Sequence, residues 1–301
     1  MVRAVAALAV LVGLCQATPV PLETPQSLHS DISLQISGGS DVDIQRVPYQ
    51  AAVELSSEHI CGAAIVAPHW VLTSAACVVE VRSRRALRIC ASARGGRGGL
   101  AGVQAESVEL PVYSPRDASL LRVRVGSSVR ESGGALLEVT QVVAHDKYDA
   151  TTLAYNVALL QTRAPATRSP SVQPAVLVAS GARPKGGAKL LVSGWGKTSL
   201  GEFFKPLQLQ SLSVSVLART LCARAYASEA TKVDDTTLCA RGEDWKGVCE
   251  GDFGGPLVND MHELVGVASW AKGCGFPRNP AVFVDLAKDD INTWVQTTIK
   301  K

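Results

Sequence analysis

Charged residues are scarce in this sequence, long apolar runs are missing, and neither acidic nor basic residues dominate. Charged side chains make up 19% of the 301 residues and apolar ones 47%, a balance that excludes a mostly disordered chain. The formal charge of +3 gives no global reason to bind nucleic acid. No apolar run reaches the roughly 18 residues that a membrane-spanning helix needs. The composition therefore predicts a folded domain with a sizeable core that binds neither nucleic acid nor a membrane.

The eight cysteines are too few for a scaffold held by disulfides alone and too many for an ordinary cytosolic enzyme. The N-terminus accounts for them, because Arg3 precedes an apolar stretch over 4–14 and Cys15-Gln16-Ala17 is a small-x-small cleavage site. Residues 1–17 are thus predicted to be a secretory signal peptide, since the apolar stretch is too short for the alternative, a membrane anchor. We expect a secreted, extracellular protein that keeps seven of its cysteines, an odd number.

The rest of the chain reads as an all-β protein with one terminal helix. Residues 18–35 are polar, carry three prolines and are predicted to be a short pro-segment. From Val47 onward the sequence consists of short apolar runs broken by Gly, Pro and Ser, which is typical of strands; they are YQAAVEL, GAAIVA, HWVLTS, LRVRVGS, LLEVTQVVAH, NVALLQ, AKLLVSGWG, LVGVASW and AVFVDL. Only residues 285–300 have helical periodicity, with one apolar face made of Leu286, Ile291, Trp294, Val295 and Ile299.

One stretch departs from this pattern. Residues 81–100 contain six arginines and no acidic residue, are rich in Gly and Ser, and show no strand alternation. They also contain Cys90. We therefore expect an exposed, arginine-rich loop.

Six short motifs occur in the order found in the trypsin/chymotrypsin serine proteases, and the sequence resembles that family over residues 36–298. The motifs are ISGG (36–39), CGAAIVAPHWVLTSAAC (61–77), YNVALLQ (155–161), SGWG (193–196), CEGDFGGPL (249–257) and SWAKGC (269–274). The resemblance implies one protease domain over 36–299, folded as two six-stranded antiparallel β-barrels with a C-terminal helix. It also implies the disulfides Cys61–Cys77, Cys222–Cys239 and Cys249–Cys274, which leave Cys90 without a family partner.

The catalytic positions of the family carry other residues here. In that family a Ser hydroxyl attacks, a His takes its proton and an Asp holds the His. The resemblance assigns these roles to Phe253, Ala76 and Asn156, so the three chemical groups are all replaced. Gly251 and Phe253 stand at the positions whose N–H groups form the oxyanion hole. Loss of the Ser or the His alone costs about a million-fold in a related class of protease, which predicts that this chain is not an active enzyme.

Spacing supports the alignment and reveals an insertion. Asn156 and Phe253 are 97 positions apart (156 to 253), against about 93 in the catalytic template, whereas Ala76 and Asn156 are 80 apart, against about 45. The excess of about 35 residues matches an arginine-rich insertion over about 80–115. It is either a genuine loop or intron-derived sequence retained in the gene model.

No other residues replace the missing groups. The histidines of the sequence are expected at the surface or in structural roles, and their spacing does not suit a metal, so neither metal nor cofactor is expected; they are His29, His59, His69, His145 and His262.

The family's specificity pocket is also altered. Gly247, six residues before the nucleophile position, provides no carboxylate to select Arg or Lys, and Ala271 and Ala281 replace the usual wall glycines and narrow the slot. Two interpretations stay open: a pocket that no longer binds anything, or a retained peptide-binding groove.

The family's activation site is only partly kept. Activation would cut the bond between Gln35 and Ile36, and Asp252 would pair with the new amine. Since trypsin-like activators require Arg or Lys before the bond, we expect the chain to stay in one piece.

The sequence therefore predicts a secreted, inactive serine protease homolog that regulates extracellular proteolysis as a cofactor or decoy, with a protease or a protease substrate as its protein partner. Two alternatives remain. One is a binding protein for anionic polysaccharide or microbial surfaces that uses the arginines of 82–97. The other is an active serine endopeptidase.

Overall fold

The structure is a computed structural model that describes residues 38–91, 103–198, 205–229, 233–243 and 245–301, with the backbone alone for 81–91 and 103–113. The predicted signal peptide, the pro-segment and the Gln35–Ile36 bond lie outside the described residues. The strands are β1 Ser40–Asp41, β2 Gln50–Leu55, β3 Glu58–Ala67, β4 Trp70–Thr73, β5 Val79–Ala91, β6 Val103–Pro115, β7 Leu121–Val125, β8 Ala135–Ala144, β9 Ala158–Thr162, β10 Val176–Leu177, β11 Lys189–Gly194, β12 Gln210–Leu217, β13 Thr237–Arg241, β14 Pro256–Val258, β15 Glu263–Trp270 and β16 Ala281–Asp285. The helices are α1 Ala75–Val78, α2 Arg219–Ala225 and α3 Asp289–Thr298, with 3-10 turns at Ile44–Arg46 and Ala118–Leu120.

The first barrel closes in the order β2-β3-β4-β9-β8-β7. Its strands are apolar on both faces because each face has a different apolar neighbour. Val53, Ile65 and Leu160 belong to the barrel's own core, whereas their strand neighbours Ala64 and Leu159 pack into the core that contains the second barrel. Alternate residues of one strand thus point to opposite faces and pack into two different cores.

The second barrel is formed by β12-β11-β14-β15-β16-β13 and closes through pairing of β12 with β13. Its core includes the fully buried side chains of Leu257, Leu264 and Phe283. Both six-stranded barrels were predicted and are confirmed. Strand β12 was missed in the sequence, although SLSVSV alternates between buried and more exposed positions as a strand should.

The C-terminal helix is confirmed with shorter limits than its apolar pattern suggests. It begins at Asp289 rather than near 285, and two acidic residues lie in its first turn, where the helix dipole favours negative charge. Ile291 and Val295 are fully buried. The Asn292 side chain donates hydrogen bonds of 2.8 Å to the carbonyls of Val178 and Leu286 and so fixes the helix on the second barrel. None of the helices in the described part of the chain is long and apolar enough to cross a membrane.

The prediction of a loop over residues 81–100 is wrong up to residue 91. β5 and β6 form a separate antiparallel hairpin of two 13-residue strands. Its register sets Arg85 opposite Glu109 and Arg88 opposite Glu106. Opposite charges at directly paired positions favour strand pairing. Both acidic residues belong to β6 and therefore lie outside residues 81–100, the range in which the sequence has no acidic residue. Arg94, Arg97 and the side chain of Cys90 lie outside the described residues.

Three disulfides form in the pairing that the resemblance implied: Cys61–Cys77, Cys222–Cys239 and Cys249–Cys274. They close loops of 16 to 25 residues, and a loop of that size is worth about 3 kcal/mol in the chain-entropy model. Two of them flank the predicted catalytic positions, because Cys77 follows Ala76 and Cys249 starts the loop that carries Phe253.

Candidate functional site

Ala76 and Asn156 lie in direct contact between the barrels. The short helix α1 presents the N–H of Ala76 to Asn156 Oδ1 at 2.8 Å. The Asn156 amide donates in turn to Ser269 Oγ, also at 2.8 Å. Asn156 is fully buried. Its uncharged amide suits this environment, because the oxygen accepts one hydrogen bond and the nitrogen donates another without placing a charge in the interior. Ala76 itself is exposed.

Phe253 lies beside these two residues. Its carbonyl accepts a hydrogen bond from Gly62 N at 2.9 Å and lies 3.7 Å from Cys77 Sγ, next to Ala76 in the chain. The Phe253 ring is half-buried and packs against apolar residues of both cores. The structure therefore brings the three predicted catalytic positions together, and none of them carries a nucleophile or a base.

The loop around Phe253 depends on glycine. Gly254 has a φ of +84°, and a Cβ there would overlap Thr73 Oγ1 and the Gly62 carbonyl. Gly251 has a φ of +100°. The Gly251 and Phe253 N–H groups, which hold the oxyanion-hole positions, donate to none of the residues that the structure describes. Both N–H groups are therefore uncommitted within the described part of the chain.

Asp252 is buried with its carboxylate turned toward the glycines at the end of β11. Oδ1 accepts from Gly196 N at 2.7 Å and Oδ2 accepts from Cys249 N at 3.0 Å. A Cβ on Gly194 or Gly196 would overlap this carboxylate, so these glycines make room for it. Burial raises the pKa of Asp252 to about 7, and the two N–H donors and the charge of Lys205 oppose that rise. The Ile36 amine, its family partner, lies outside the described residues.

The three predicted pocket residues Gly247, Ala271 and Ala281 line one cavity, which has a volume of only about 10 Å³. That is room for about one water molecule. The pocket is narrow because two backbone segments touch: a Cβ on Gly247 would lie 2.8 Å from Gly275 Cα. Glu243 also lines the cavity, but it forms an ion pair with Lys246 at 3.1 Å. Large or basic side chains do not fit.

No sequence motif pointed to Lys205, which precedes Pro206 outside all six motifs. Its Nζ donates to the His59 carbonyl at 2.7 Å. Its side chain packs beside Gly251, one of the two oxyanion-hole positions. The Lys205 Cε lies 3.1 Å from the place that a Cβ on Gly251 would occupy. Burial and the neighbouring charge of Arg130 lower the pKa of Lys205.

Two histidines are more buried than the sequence suggested. The His59 ring has no hydrogen-bond partner among the described residues, and burial lowers its pKa to about 3, with Lys205 and Arg130 adding to the effect. His145, expected at the surface, is buried against the rings of Tyr155 and Trp294. No group of three or more potential metal ligands was found in the described residues.

Comparison with known proteins gives consistent matches. The family model described as Trypsin matches residues 36–122 and 112–295, and the two matches overlap at the end of the insertion. Hypodermin-B of Hypoderma lineatum is 30% identical over 276 residues, which cover 92% of each chain. Trypsin delta of Drosophila melanogaster is 30% identical and covers 90% of this chain and 91% of its own. The solved structure of neuropsin, described as a serine protease expressed in the limbic system of mouse brain, aligns with a TM-score of 0.68 and 25% identity over 87% of this chain and 99% of its own.

Proposed function

The chain belongs to the trypsin family of serine proteases, and from that premise we propose that it is a secreted, catalytically inactive homolog that acts by binding. The observation that carries the proposal is the composition of the catalytic centre. Ala76 offers only a backbone N–H, Asn156 is occupied by Ala76 and Ser269, and Phe253 presents a ring. The relatives have protease names, so the proposal rests on the residues of this chain.

Acyl transfer needs a nucleophilic oxygen or sulfur and a base beside it. The two buried histidines do not supply that base. His59 is buried with a pKa near 3, and His145 is enclosed by Tyr155 and Trp294. Neither of these histidines is thus suited to activate a nucleophile at position 253, which supports the proposal.

Binding is the function that the scaffold retains. Three disulfides support secretion, and two of them, Cys61–Cys77 and Cys249–Cys274, hold the segments that carry the catalytic positions. The small cavity at Gly247 excludes deep insertion of a large side chain. We propose that the chain regulates extracellular proteolysis as a cofactor or decoy, by binding either a protease or a protease substrate.

A covalent probe of active serine hydrolases tests inactivity directly. The secreted protein, before and after trypsin treatment, is incubated with a fluorophosphonate and its intact mass is measured. We expect no added mass on this chain. An adduct on the chain would overturn the proposal, and intact mass distinguishes it from labelling of a contaminating protease.

The register of the hairpin weighs against the alternative of an anionic polysaccharide as ligand, since two of its arginines, Arg85 and Arg88, lie opposite acidic residues. A heparin column separates the two functions. The proposed function predicts that the protein elutes at about 0.15 M salt, where a functional arginine cluster would still hold it.

A further inference from the structure

An open groove with a volume of about 410 Å³ lies on the outer face of the second barrel. Ser213 and Ser215 of β12 line it, whereas Val214 between them points the other way into the core. The groove therefore lies on the opposite side of β12 from the cavity beside Gly247, which Val214 lines, and the two share only residues 241–243. None of the residues that line the groove belongs to the six family motifs.

The groove exists because β12 is incompletely paired along one edge. β11 occupies the other edge, so β1 and β13 share this one. β1 pairs with residues 210–211 and β13 with residues 215–217. Among the described residues no strand pairs with this edge over 212–214, and the chain that leaves β13 lines the groove there through Gly242 and Glu243.

Two cations lie on either side of the serines. The strand register sets Lys189 directly opposite Ser215, and Ser215 directly opposite Arg241. Neighbouring strands are about 4.8 Å apart, so the Cα atoms of the two cations lie about 10 Å from each other. Both cations are exposed, and their side chains form no ion pair or hydrogen bond with the part of the chain that the structure describes.

The groove has an excess of positive charge. Glu243 is the only acid among its described lining residues, and it pairs with Lys246 at 3.1 Å. The hydroxyls of Ser213 and Ser215 have no hydrogen-bond partner in the described residues either. Two cations and two hydroxyl donors on one face complement carboxylates, because hydrogen bonds from a cation to a carboxylate are about twice as strong as neutral ones.

We propose that this groove binds an extended acidic segment of a protein partner, with two carboxylates two residues apart as in Glu-x-Glu. Alternate side chains of an extended segment lie on one face about 7 Å apart. Lys189 and Arg241 can converge on that spacing because both side chains are long and flexible. The inference rests on the proposed function, which requires a protein partner, and it names the chemistry that would recognise that partner.

The test compares two peptides that differ only in charge: acetyl-Gly-Glu-Gly-Glu-Gly-amide and the same peptide with Gln in place of both Glu. Both carry the same dye, and binding to the full secreted protein is measured by fluorescence polarisation at about 0.05 M salt, where screening is weak. We expect the Glu peptide to bind about tenfold more tightly, the gain of two exposed ion pairs. Lys189→Met combined with Arg241→Met should abolish this preference.

Lys185→Met combined with Arg168→Met is the matched control, because it removes the same two charges from exposed positions outside the groove. This variant should keep the preference for the Glu peptide. Equal binding of the two peptides, no binding of either, or a preference that survives the double substitution in the groove would each overturn the inference. Loss of the preference in the control would also overturn it, since net charge alone would then explain the binding.

NMR of the wild-type protein tests the site without any variant. The Glu peptide should shift the amide resonances of Ser213, Ser215 and Gly242, and the absence of these shifts would contradict the site. A heparin disaccharide that shifts the same resonances and binds more tightly than the Glu peptide would assign the groove to a sulfated glycan instead. Self-association that the double substitution abolishes would assign the groove to a second copy of the chain, and either result would overturn the proposal.

The outcomes stay separate from those of the proposed function. A fluorophosphonate adduct on the chain would contradict inactivity and would leave a preference for the Glu peptide unexplained by catalysis. Equal binding of the Glu and Gln peptides by a chain that takes up no fluorophosphonate would contradict the groove alone.

Discussion

The Asn156 side chain connects the two barrels, because its oxygen accepts from Ala76 N and its amide donates to Ser269 Oγ, both at 2.8 Å. Asn156, at the position of the family's catalytic aspartate, has become a structural junction. The contribution of Asn156 is therefore measured as a change in the free energy of unfolding.

Replacement of Asn156 by Ala should lower the free energy of unfolding by about 2 kcal/mol, since it leaves the buried Ser269 hydroxyl and the part-buried Ala76 N–H without this hydrogen-bond partner. Asn156→Asp should cost less, because its carboxylate accepts from both Ala76 N–H and a rotated Ser269 hydroxyl. Urea denaturation at pH 7 measures both. Equal losses for the two variants would show that the junction contributes packing rather than hydrogen bonds.

The pKa of Asp252 predicts an unusual pH dependence. A carboxyl whose pKa rises from 3.8 to about 7 on folding binds its proton more tightly in the folded than in the unfolded state. The contribution of Asp252 to stability should therefore be greatest near pH 4 and fall by roughly 4 kcal/mol as pH rises to 7. Thermal unfolding across this range measures the fall.

Asp252→Asn is the comparison that isolates this carboxyl. His59 and His145, whose pKa values are lowered by burial, act in the opposite direction, so the difference in stability between wild type and variant is the quantity to follow. The difference should vary between pH 4 and 7 in the one-piece chain. A constant difference would mean that the carboxylate has a counter-ion, as it would if the Ile36 amine were freed.

Limited trypsin digestion tests the hairpin. The backbones of β5 and β6 are hydrogen-bonded to each other over 79–91 and 103–115, and paired strands resist proteolysis better than loop tips. The first cuts are expected after Arg94 or Arg97, which separate the two strands in sequence. Early cuts after Arg82 or Arg84 would contradict the paired register.

The local sequence pattern was sufficient to predict the two barrels, but it was insufficient to predict the contacts around the catalytic positions. Val53 and Leu160 lie in alternating apolar runs that predict strands, and the family motifs led to the catalytic positions and the disulfides. The contact of Lys205 with Gly251 and the closure of the pocket by Gly247 and Gly275 come from long-range packing. Strand β5 was missed for a similar reason, because its acidic partners belong to another strand.

The central claim is that a protease scaffold persists around a catalytic centre that has lost its chemical groups. Ala76→His, Asn156→Asp and Phe253→Ser together restore those groups, and Gln35→Arg permits tryptic cleavage before Ile36, whose amine can then reach Asp252. Because Gly247 carries no charge and the cavity is small, small apolar side chains should be the preferred substrates. The same protein without Phe253→Ser is the matched control.

The decisive measurement is hydrolysis of alanine-type peptide esters by this four-residue variant after trypsin treatment and removal of the trypsin. The account predicts weak hydrolysis by the variant, poor hydrolysis of Arg and Lys esters, and no activity in the control or the wild-type protein. A folded, correctly cleaved variant that hydrolyses no ester, or a wild-type protein that does, would contradict it.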